Sequence, residues 1–359
     1  MVTLLASLLA AGALAAPPPQ RALVAGPVIA GSRVVWGERV GGLSVLRAWP
    51  QQAPLWRSAS SWLAGPLGGS QTIVAFSRSF EGCPGQPGVA CPVETQAVAG
   101  PLRGSLRPLG PAERCTAGGA HRRLAVSGSL VAFLELGCDS ATNTVAVRDG
   151  SHTVFQRQGA ACCDVSLAGR FLAVRSGSAV DVVDLRTRRL AYRALAPAGE
   201  SIAAFDVQAD GKLALALGAA PDGTAALVWR TPGSQILQRA GFRVVPPAGS
   251  PLVRLVADRL VAERRVGSST ELVVAGLPGT VRTLTRFAAP VEPIGGFDAG
   301  DGRLTWASRR ITSSRVDCPP RGLGRPCILL KSGVATVWVA GLASGAPRPI
   351  ARWTFVDAP

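Results

Sequence analysis

Eight cysteines are the residues of this 359-residue chain whose spacing suggests chemistry most directly. An even number of cysteines is typical of a disulfide framework formed in an oxidising compartment. Cys83 with Cys91, and Cys318 with Cys327, lie close enough in sequence to close local loops. The other four allow three connectivities, which their spacing leaves open. These four are Cys115, Cys138, Cys162 and Cys163.

Metal and cofactor chemistry have little support in the sequence. No two cysteines have the C-x2-C spacing of a zinc site, and only His121 and His152 could complete a ligand set. Adjacent Cys162 and Cys163 allow a redox hypothesis, because vicinal disulfides lie at the cofactor of some quinoproteins. The repeated tryptophan pattern of those proteins is absent, and both sulfurs can pair elsewhere. The sequence therefore predicts disulfides, with no metal and no cofactor.

The most basic stretch of the chain, residues 308–327, carries five arginines and one acid. Such a stretch can bind an acidic polymer, glycan or protein, although a solvated basic loop is the simpler interpretation. A second basic group lies near residue 122. The candidate binding residues are Arg309, Arg310, Arg315, Arg321, Arg325, Arg122 and Arg123.

The whole chain is also basic, with 38 Lys and Arg against 22 Asp and Glu. A polyanion partner is one interpretation of this excess. The other is a GC-rich genome, because all but two of the basic residues are arginine and Ala, Gly and Pro are frequent. The arginines are spread along the chain and form no helical basic stripe, so nucleic-acid binding is not favoured.

The elements that must position these residues are short strands in a repeated order. Residues 164–195 divide into Val165–Leu167, Phe171–Val174, Ala179–Asp184 and Leu190–Tyr192. The same order returns six more times, and a unit repeated about every 40 residues is typical of a β-propeller. The turns between first and second strands are predicted at Gly31, Gly69, Gly128, Gly169, Asp210, Ala257 and Asp301.

The hydrophobic pattern of the strands agrees with this fold. The second strands, such as Phe171–Val174, are apolar on both faces, as expected of strands between two neighbouring blades. Trp36, Trp229, Trp306 and Trp338 fall inside predicted strands, so we expect them in the core. The predicted fold is all-β, a propeller of four-stranded antiparallel blades. Seven blades fit best, with six or eight as alternatives.

One strand allows a family resemblance to be stated. Val180–Thr187 (VDVVDLRT) resembles the V-x-V-I-D-L-x-T strand of bacterial YVTN-type and TolB-like β-propeller repeats. The repeat pattern covers about residues 27–355, and the resemblance implies a secreted bacterial propeller. It implies little about activity, because these repeats occur in binding proteins and in enzymes.

The expected domain organisation is one propeller behind a targeting segment. Residues 1–16 resemble a secretory signal peptide with an A-x-A cleavage site, although a basic n-region is missing, and an uncleaved anchor is the alternative. Residues 17–26 form an N-terminal segment, and residues 27–359 form the propeller. The blades are predicted near residues 27–58, 62–110, 121–157, 163–195, 200–240, 250–286 and 293–356.

The cysteines and the longest insertions are predicted to share one face. In a four-stranded blade, the loops between second and third strands emerge on the same side as the connections between blades. All eight cysteines fall in such segments, as do the insertions 78–93 and 309–334. Long, linked loops are a usual place for recognition, although the disulfides could serve only to hold the loops.

These observations favour an exported, non-catalytic binding or scaffolding propeller that acts as a monomer. The partner would be a protein or an acidic polysaccharide, with no membrane span after signal removal. The alternative is a hydrolase or lyase with its site in the central funnel, although no G-x-S-x-G motif is present. Acids to examine for that alternative are Glu38, Glu135, Asp164 and Glu263.

Overall fold

The computed structural model describes most of the chain. The described residues are 20–51, 53–81, 93–115, 124–135, 144–159, 164–218, 224–244, 253–276, 281–318, 327–343 and 345–356. Every regular element within these ranges is a strand. The described part accordingly holds no helix that could cross a membrane.

The strands form seven antiparallel sheets, each from one continuous segment. The strands of blade 1 are β1 (Arg21–Ala30), β2 (Arg33–Val40), β3 (Leu43–Trp49) and β4 (Trp56–Ser58). Those of blade 2 are β5 (Ser61–Gly69), β6 (Ile73–Glu81), β7 (Val93–Pro101), β8 (Arg107–Pro108) and β9 (Glu113–Cys115). Those of blade 3 are β10 (Leu124–Ser127), β11 (Leu130–Glu135), β12 (Thr144–Asp149) and β13 (His152–Gln158). Those of blade 4 are β14 (Val165–Ala168), β15 (Phe171–Ser176), β16 (Ala179–Asp184) and β17 (Arg189–Leu195).

The remaining three blades repeat the pattern. The strands of blade 5 are β18 (Ser201–Val207), β19 (Leu213–Gly218), β20 (Ala225–Arg230) and β21 (Gln238–Val244). Those of blade 6 are β22 (Val253–Val256), β23 (Arg259–Val266), β24 (Ser269–Gly276) and β25 (Val281–Phe287). Those of blade 7 are β26 (Val291–Gly300), β27 (Arg303–Asp317), β28 (Ile328–Gly341) and β29 (Arg348–Val356).

The predicted seven-bladed propeller is confirmed. In every blade the four strands pair in sequence order, and only blade 2 adds a fifth, since β9 also pairs with β7. The apolar runs predicted as second strands lie in β2, β6, β11, β15, β19, β23 and β27. They are apolar on both faces because each face packs against a different blade.

The hydrophobic core is divided into layers between neighbouring blades. One cluster, for example, joins Phe171 and Val182 of blade 4 to Phe205 and Leu215 of blade 5. Corresponding clusters lie between each of the other neighbouring pairs, including blades 7 and 1. The predicted core tryptophans Trp36, Trp229 and Trp306 are buried, and Trp338 is partly buried and stacks on Trp306.

The turn predicted at Gly69 is wrong. Gly69 ends β5 and pairs with Val74, and the turn lies two residues later, at Gln71 and Thr72. Glycine is needed at this position for a close approach between blades, because a Cβ there would lie 2.5 Å from the carbonyl oxygen of Ile29. The sequence pattern did not distinguish this use of glycine from a turn.

Blades 1 and 7 meet without sharing a strand. β1 pairs with β2 and β29 pairs with β28, so each of these blades is complete in itself. β29 and β1 meet through side chains, since Leu23 packs in the same cluster as Trp353 and Phe355. At this seam Gly26 and Gly295 are in close backbone contact, because a Cβ on Gly26 would lie 1.8 Å from the carbonyl oxygen of Gly295.

Candidate functional site

A cavity of about 780 Å³ lies in the central channel. Its wall is formed by the first strands of all seven blades, β1, β5, β10, β14, β18, β22 and β26. Turn residues between first and second strands, including Gln71, Gly169 and Asp301, also line it. We call this end of the propeller the first-turn face. It is opposite to the face on which the cysteines are predicted, because the chain reverses at each turn.

One position of the first strands forms a ring around this cavity. In each first strand, the position lies two residues before the last residue that is bonded across the hairpin. In blades 2 and 5 that last residue is Ser70 or Gln208, whose backbone amide extends the pairing by one residue. Blades 1 to 3 have small or apolar residues there, and blades 4 to 7 have polar or charged ones. The members of the channel ring are Val28, Gly68, Ala125, Ser166, Asp206, Arg254 and Asp298.

Three members of the channel ring accept a hydrogen bond from the next blade. Ser166 Oγ accepts from the Val207 amide at 3.1 Å, and Asp206 Oδ2 from the Leu255 amide at 2.8 Å. Asp298 Oδ2 accepts from the Ile29 amide at 2.9 Å, across the seam between blades 7 and 1. First strands are sheet edges, so these bonds satisfy amides that would otherwise lack a partner in the sheet.

In blade 6 the ring position holds Arg254 instead of a hydrogen-bond acceptor. Its guanidinium contacts the ring aspartates of blades 5 and 7. Its Nε donates to Asp298 Oδ1 at 3.1 Å, and its Nη1 lies 3.6 Å from Asp206 Oδ1. Burial raises the pKa of Asp206, an effect that the charge of Arg254 only partly offsets. Burial opposes the charged form of Arg254, but the charges of Asp206, Asp298 and Asp164 outweigh burial and raise the pKa of Arg254.

Three of the four acids singled out from the sequence can be placed, and they do not converge. Glu38 is fully buried in blade 1, where Arg21, Arg47 and Trp36 surround its carboxylate. Asp164 is buried beside the ring. Glu263 makes no hydrogen bond or ion pair with the described residues, and burial raises its pKa to about 7. Glu135 ends β11, and its side chain lies outside the described part.

The basic stretch of blade 7 forms a hairpin extension. Residues 311–317 of β27 pair with residues 328–333 of β28, beyond the part of β27 that β26 covers, and β29 pairs with β28 only as far as Ser332. We call this extension the ribbon. Cys318 and Cys327 form a disulfide at its far end, as predicted. All residues of the ribbon from Thr312 to Asp317 are exposed, so they add little to the core.

Apolar side chains are exposed on the ribbon. Val316 and Leu329 are cross-strand partners and are 66% and 56% exposed. Directly opposed residues of paired strands have their side chains on the same face. The pair therefore forms one apolar patch on the ribbon surface.

The structure separates the candidate arginines of blade 7. Arg309 lies at the base of the ribbon, where it donates to Glu292 Oε2 at 3.0 Å and covers the ring of Phe355. Arg310 and Arg315 are exposed. The other candidates, Arg321, Arg325, Arg122 and Arg123, lie outside the described residues, so binding by this set stays a prediction.

The remaining disulfide predictions are not tested by the structure. Cys83, Cys91, Cys138, Cys162 and Cys163 lie outside the described residues. Cys115 ends β9, but its side chain is not described. No group of three His, Cys, Asp or Glu side chains that could hold a metal ion occurs among the residues that are described.

Sequence reasoning missed the channel ring, although a signal for it was present. In blades 4 to 7 the residue at this position is polar or charged, at Ser166, Asp206, Arg254 and Asp298, inside strands that are otherwise mostly apolar. In blades 1, 3, 4, 6 and 7 the ring residue lies three residues before the predicted turn, so alignment on the turns brings five of the seven members together. Strand register is needed to add Gly68 and Asp206, because the turn of blade 2 was misplaced and the turn of blade 5 is longer.

Comparison with known proteins supports the fold and goes no further. The sequence matches no protein-family model and no curated protein. Among solved structures, a prolyl endopeptidase is 16% identical with a TM-score of 0.57, over 95% of this chain and 49% of that one. The β-propeller domain of the Trilobed protease from Pyrococcus furiosus, described as having an open velcro topology, is 10% identical with a TM-score of 0.50. That match covers 81% of this chain and 96% of the domain.

A third similar structure is BamB from Moraxella catarrhalis. It is 11% identical with a TM-score of 0.44, over 94% of this chain and 98% of that one. This chain spans about half the length of the prolyl endopeptidase that it matches. At such low sequence identities the similar structures show the fold alone. Together with its own seven sheets, they show that the chain is a seven-bladed β-propeller.

Proposed function

We propose that this propeller is an exported, non-catalytic binding or scaffolding protein that docks a protein partner through the ribbon. The observation that carries the proposal is the exposed pair Val316 and Leu329 on a disulfide-closed hairpin. Large exposed apolar side chains that lie together are a common mark of a protein interface. The ribbon belongs to the face on which recognition loops were expected.

The charges on the two faces of the ribbon define the chemistry of the partner. Lys331 lies two residues from Leu329 on the same face of β28 and pairs with Glu292, whereas Arg310 and Arg315 are exposed on the other face, opposite Val334 and Leu330. Arginine is favoured at interfaces because it offers several donors to a carboxylate. The partner would therefore present an apolar spot to Val316 and Leu329, with acidic residues where it extends around the ribbon to Arg310 and Arg315. Binding should weaken as the salt concentration rises.

The channel acids favour binding over catalysis. Asp206 and Asp298 each hold an amide of the next blade and face Arg254, so both already serve the structure. Glu38 forms ion pairs with two arginines, and Glu263 in blade 6 has no hydrogen-bond or ion-pair partner among the described residues. The enzyme alternative, a hydrolase or lyase in the funnel, would need a carboxylate pair placed for acid and base roles.

Export is part of the same proposal. A disulfide between Cys318 and Cys327 is expected to persist in an oxidising compartment, and residues 1–16 have the composition of a signal peptide.

The test measures the affinity of the protein for a partner that co-purifies with it from its source organism. We expect Val316→Ser with Leu329→Ser to weaken binding about tenfold or more, as for removal of apolar anchors from an interface. The matched control is Leu190→Ser with Leu195→Ser, which removes two exposed leucines from the outer strand of blade 4. Equal loss in both variants, or no loss in the ribbon variant, would contradict the proposal.

A further inference from the structure

The channel cavity is independent of the ribbon and has the dimensions of a ligand site. Its volume of about 780 Å³ falls within the range of small-molecule pockets, roughly 300 to 1,000 Å³. Such pockets combine an apolar wall with a few placed polar groups. The channel ring has this division, since Val28, Gly68 and Ala125 are on one side and the polar members are on the other.

The charges on the wall have one dominant sign. Asp206, Asp298 and Asp301 line the cavity with Arg254 as the only cation among the described lining residues, an excess of two negative charges. An excess of one remains even when Asp206 is protonated. The chain as a whole carries a formal charge of +16, so the channel is opposite in sign to the rest of the protein.

A further acceptor lies in the same wall. Gln208 lines the cavity two residues beyond Asp206, on the same face of the chain. Its Oε1 is buried and has no hydrogen-bond partner among the described residues. Buried acceptors are usually satisfied, so this oxygen is suited to an N–H donor brought by a ligand.

We infer that the channel cavity binds a small organic cation, a primary ammonium ion that carries an apolar body. The ammonium group would lie toward Asp298 and Asp301, and the body would pack on the apolar side of the ring. A carboxylate ligand could reach the exposed part of Arg254, whose side chain is 28% exposed, but it would meet the repulsion of the three acids. The charge balance therefore selects the cation.

The test uses three probes with the same phenyl ring, 2-phenylethylamine, 2-phenylethanol and 3-phenylpropionate, in titration calorimetry with the full chain. We expect the amine to bind about tenfold more tightly than the alcohol, and the carboxylate to bind least, because like charges repel it. Amine binding should weaken with salt. An alcohol that binds as well as the amine, a carboxylate that binds better, or an amine that shows no saturation at millimolar concentration would overturn the inference.

Two aspartate variants form a matched pair for this test. Asp301 lines the cavity at a turn with φ of 48°, and Asp258 occupies a similar turn of blade 6 with φ of 58° but does not line the cavity. Asparagine tolerates this backbone region. We expect Asp301→Asn to weaken amine binding about threefold by loss of one nearby charge, and Asp258→Asn to leave it unchanged. Equal effects of the two variants would overturn the inference.

The Arg254→Gln variant distinguishes a cavity that binds a cation from one that binds an anion. Removing the only basic residue among the described residues of the wall leaves the acids uncompensated, so amine binding should tighten about threefold or more. If the cavity instead binds an anion at Arg254, the same variant abolishes carboxylate binding and the amine does not tighten. The melting temperature of each variant shows that the compared proteins are folded.

Discussion

At the scale of single residues, neighbouring blades are joined by side chains from one position of the first strands. Ser166, Asp206 and Asp298 each accept the amide of the next blade. An amide left without a partner in a buried place costs about 1 to 3 kcal/mol. These residues therefore join the inner edges of three pairs of neighbouring blades, and the carboxylates of Asp206 and Asp298 also contribute to the charge of the channel.

Glu263 should make the stability of the protein depend on pH. Its pKa is raised from 4.5 to about 7 because burial disfavours the charged form. A raised pKa means that the contribution of Glu263 to stability is fully present below about pH 4.5 and is lost as the pH rises to about 7. We expect Glu263→Gln to raise the free energy of unfolding by about 2 kcal/mol at pH 8 and to change it little at pH 4.5.

Urea unfolding at several pH values measures this effect. Glu81→Gln is the control, because Glu81 is exposed at the end of β6. A Glu263→Gln variant that gains nothing at pH 8, or gains equally at pH 4.5, would show that the carboxyl is not held in an unfavourable site.

The acids that were singled out from the sequence show that the partners of a single side chain could not be predicted. Strand order placed Glu38 at the end of a second strand, where a funnel acid was conceivable. The structure instead has Glu38 fully buried among Arg21, Arg47 and Trp36, which satisfy its charge. Arg21 and Arg47 come from the two neighbouring strands and belong to no motif, so spacing along the chain could not identify them.

At the scale of elements, the ribbon is an addition to blade 7 that should move independently of the core. Its residues 312–317 are exposed and have a strand partner only in β28. We expect Cys318→Ser with Cys327→Ser to speed amide hydrogen exchange in residues 312–317 and 328–329, which are exposed, while the melting temperature stays nearly unchanged. Segments with few buried apolar contacts open at low free energy, and the disulfide restrains this opening.

Hydrogen exchange followed by mass spectrometry checks this prediction. Residues 304–307 of the same strand are buried, so they are the internal reference and should keep their protection. A large fall in melting temperature, or faster exchange in residues 304–307 as well, would mean that the disulfide supports the blade and not only the ribbon.

The strands of the blades were predicted from sequence because their pattern is local. A run that is apolar on both faces, such as Phe171–Val174, indicates a strand between two layers without any knowledge of its neighbours. The turn was misplaced at Gly69 because a contact with blade 1, which is distant in sequence, requires glycine at that position. The channel ring escaped notice for the same reason, since it exists only when seven first strands are brought together.

At the scale of the whole molecule, the propeller closes by packing between blades 7 and 1. Gly26 and Gly295 are in backbone contact there, and Asp298 reaches the Ile29 amide. We expect Gly26→Ala to lower the free energy of unfolding by about 3 kcal/mol or more, because the added methyl group overlaps the Gly295 carbonyl and backbone cannot give way easily.

Gly110→Ala is the control for the seam, since a Cβ at Gly110 meets nothing within 4 Å. Thermal or urea unfolding of both variants measures the difference. A Gly26→Ala variant as stable as the control would mean that the seam opens enough to accept the methyl group, and that the close contact is not required for closure.

The central claim, that the ribbon docks a protein partner, is tested most directly by a photo-reactive amino acid placed at position 316 and, separately, at position 329. Leu195, 61% exposed on the outer strand of blade 4, is the reference position. We predict that irradiation in the source organism links the same protein to both ribbon positions and not to position 195. Absence of a common adduct at positions 316 and 329, or equal capture from position 195, would contradict the claim.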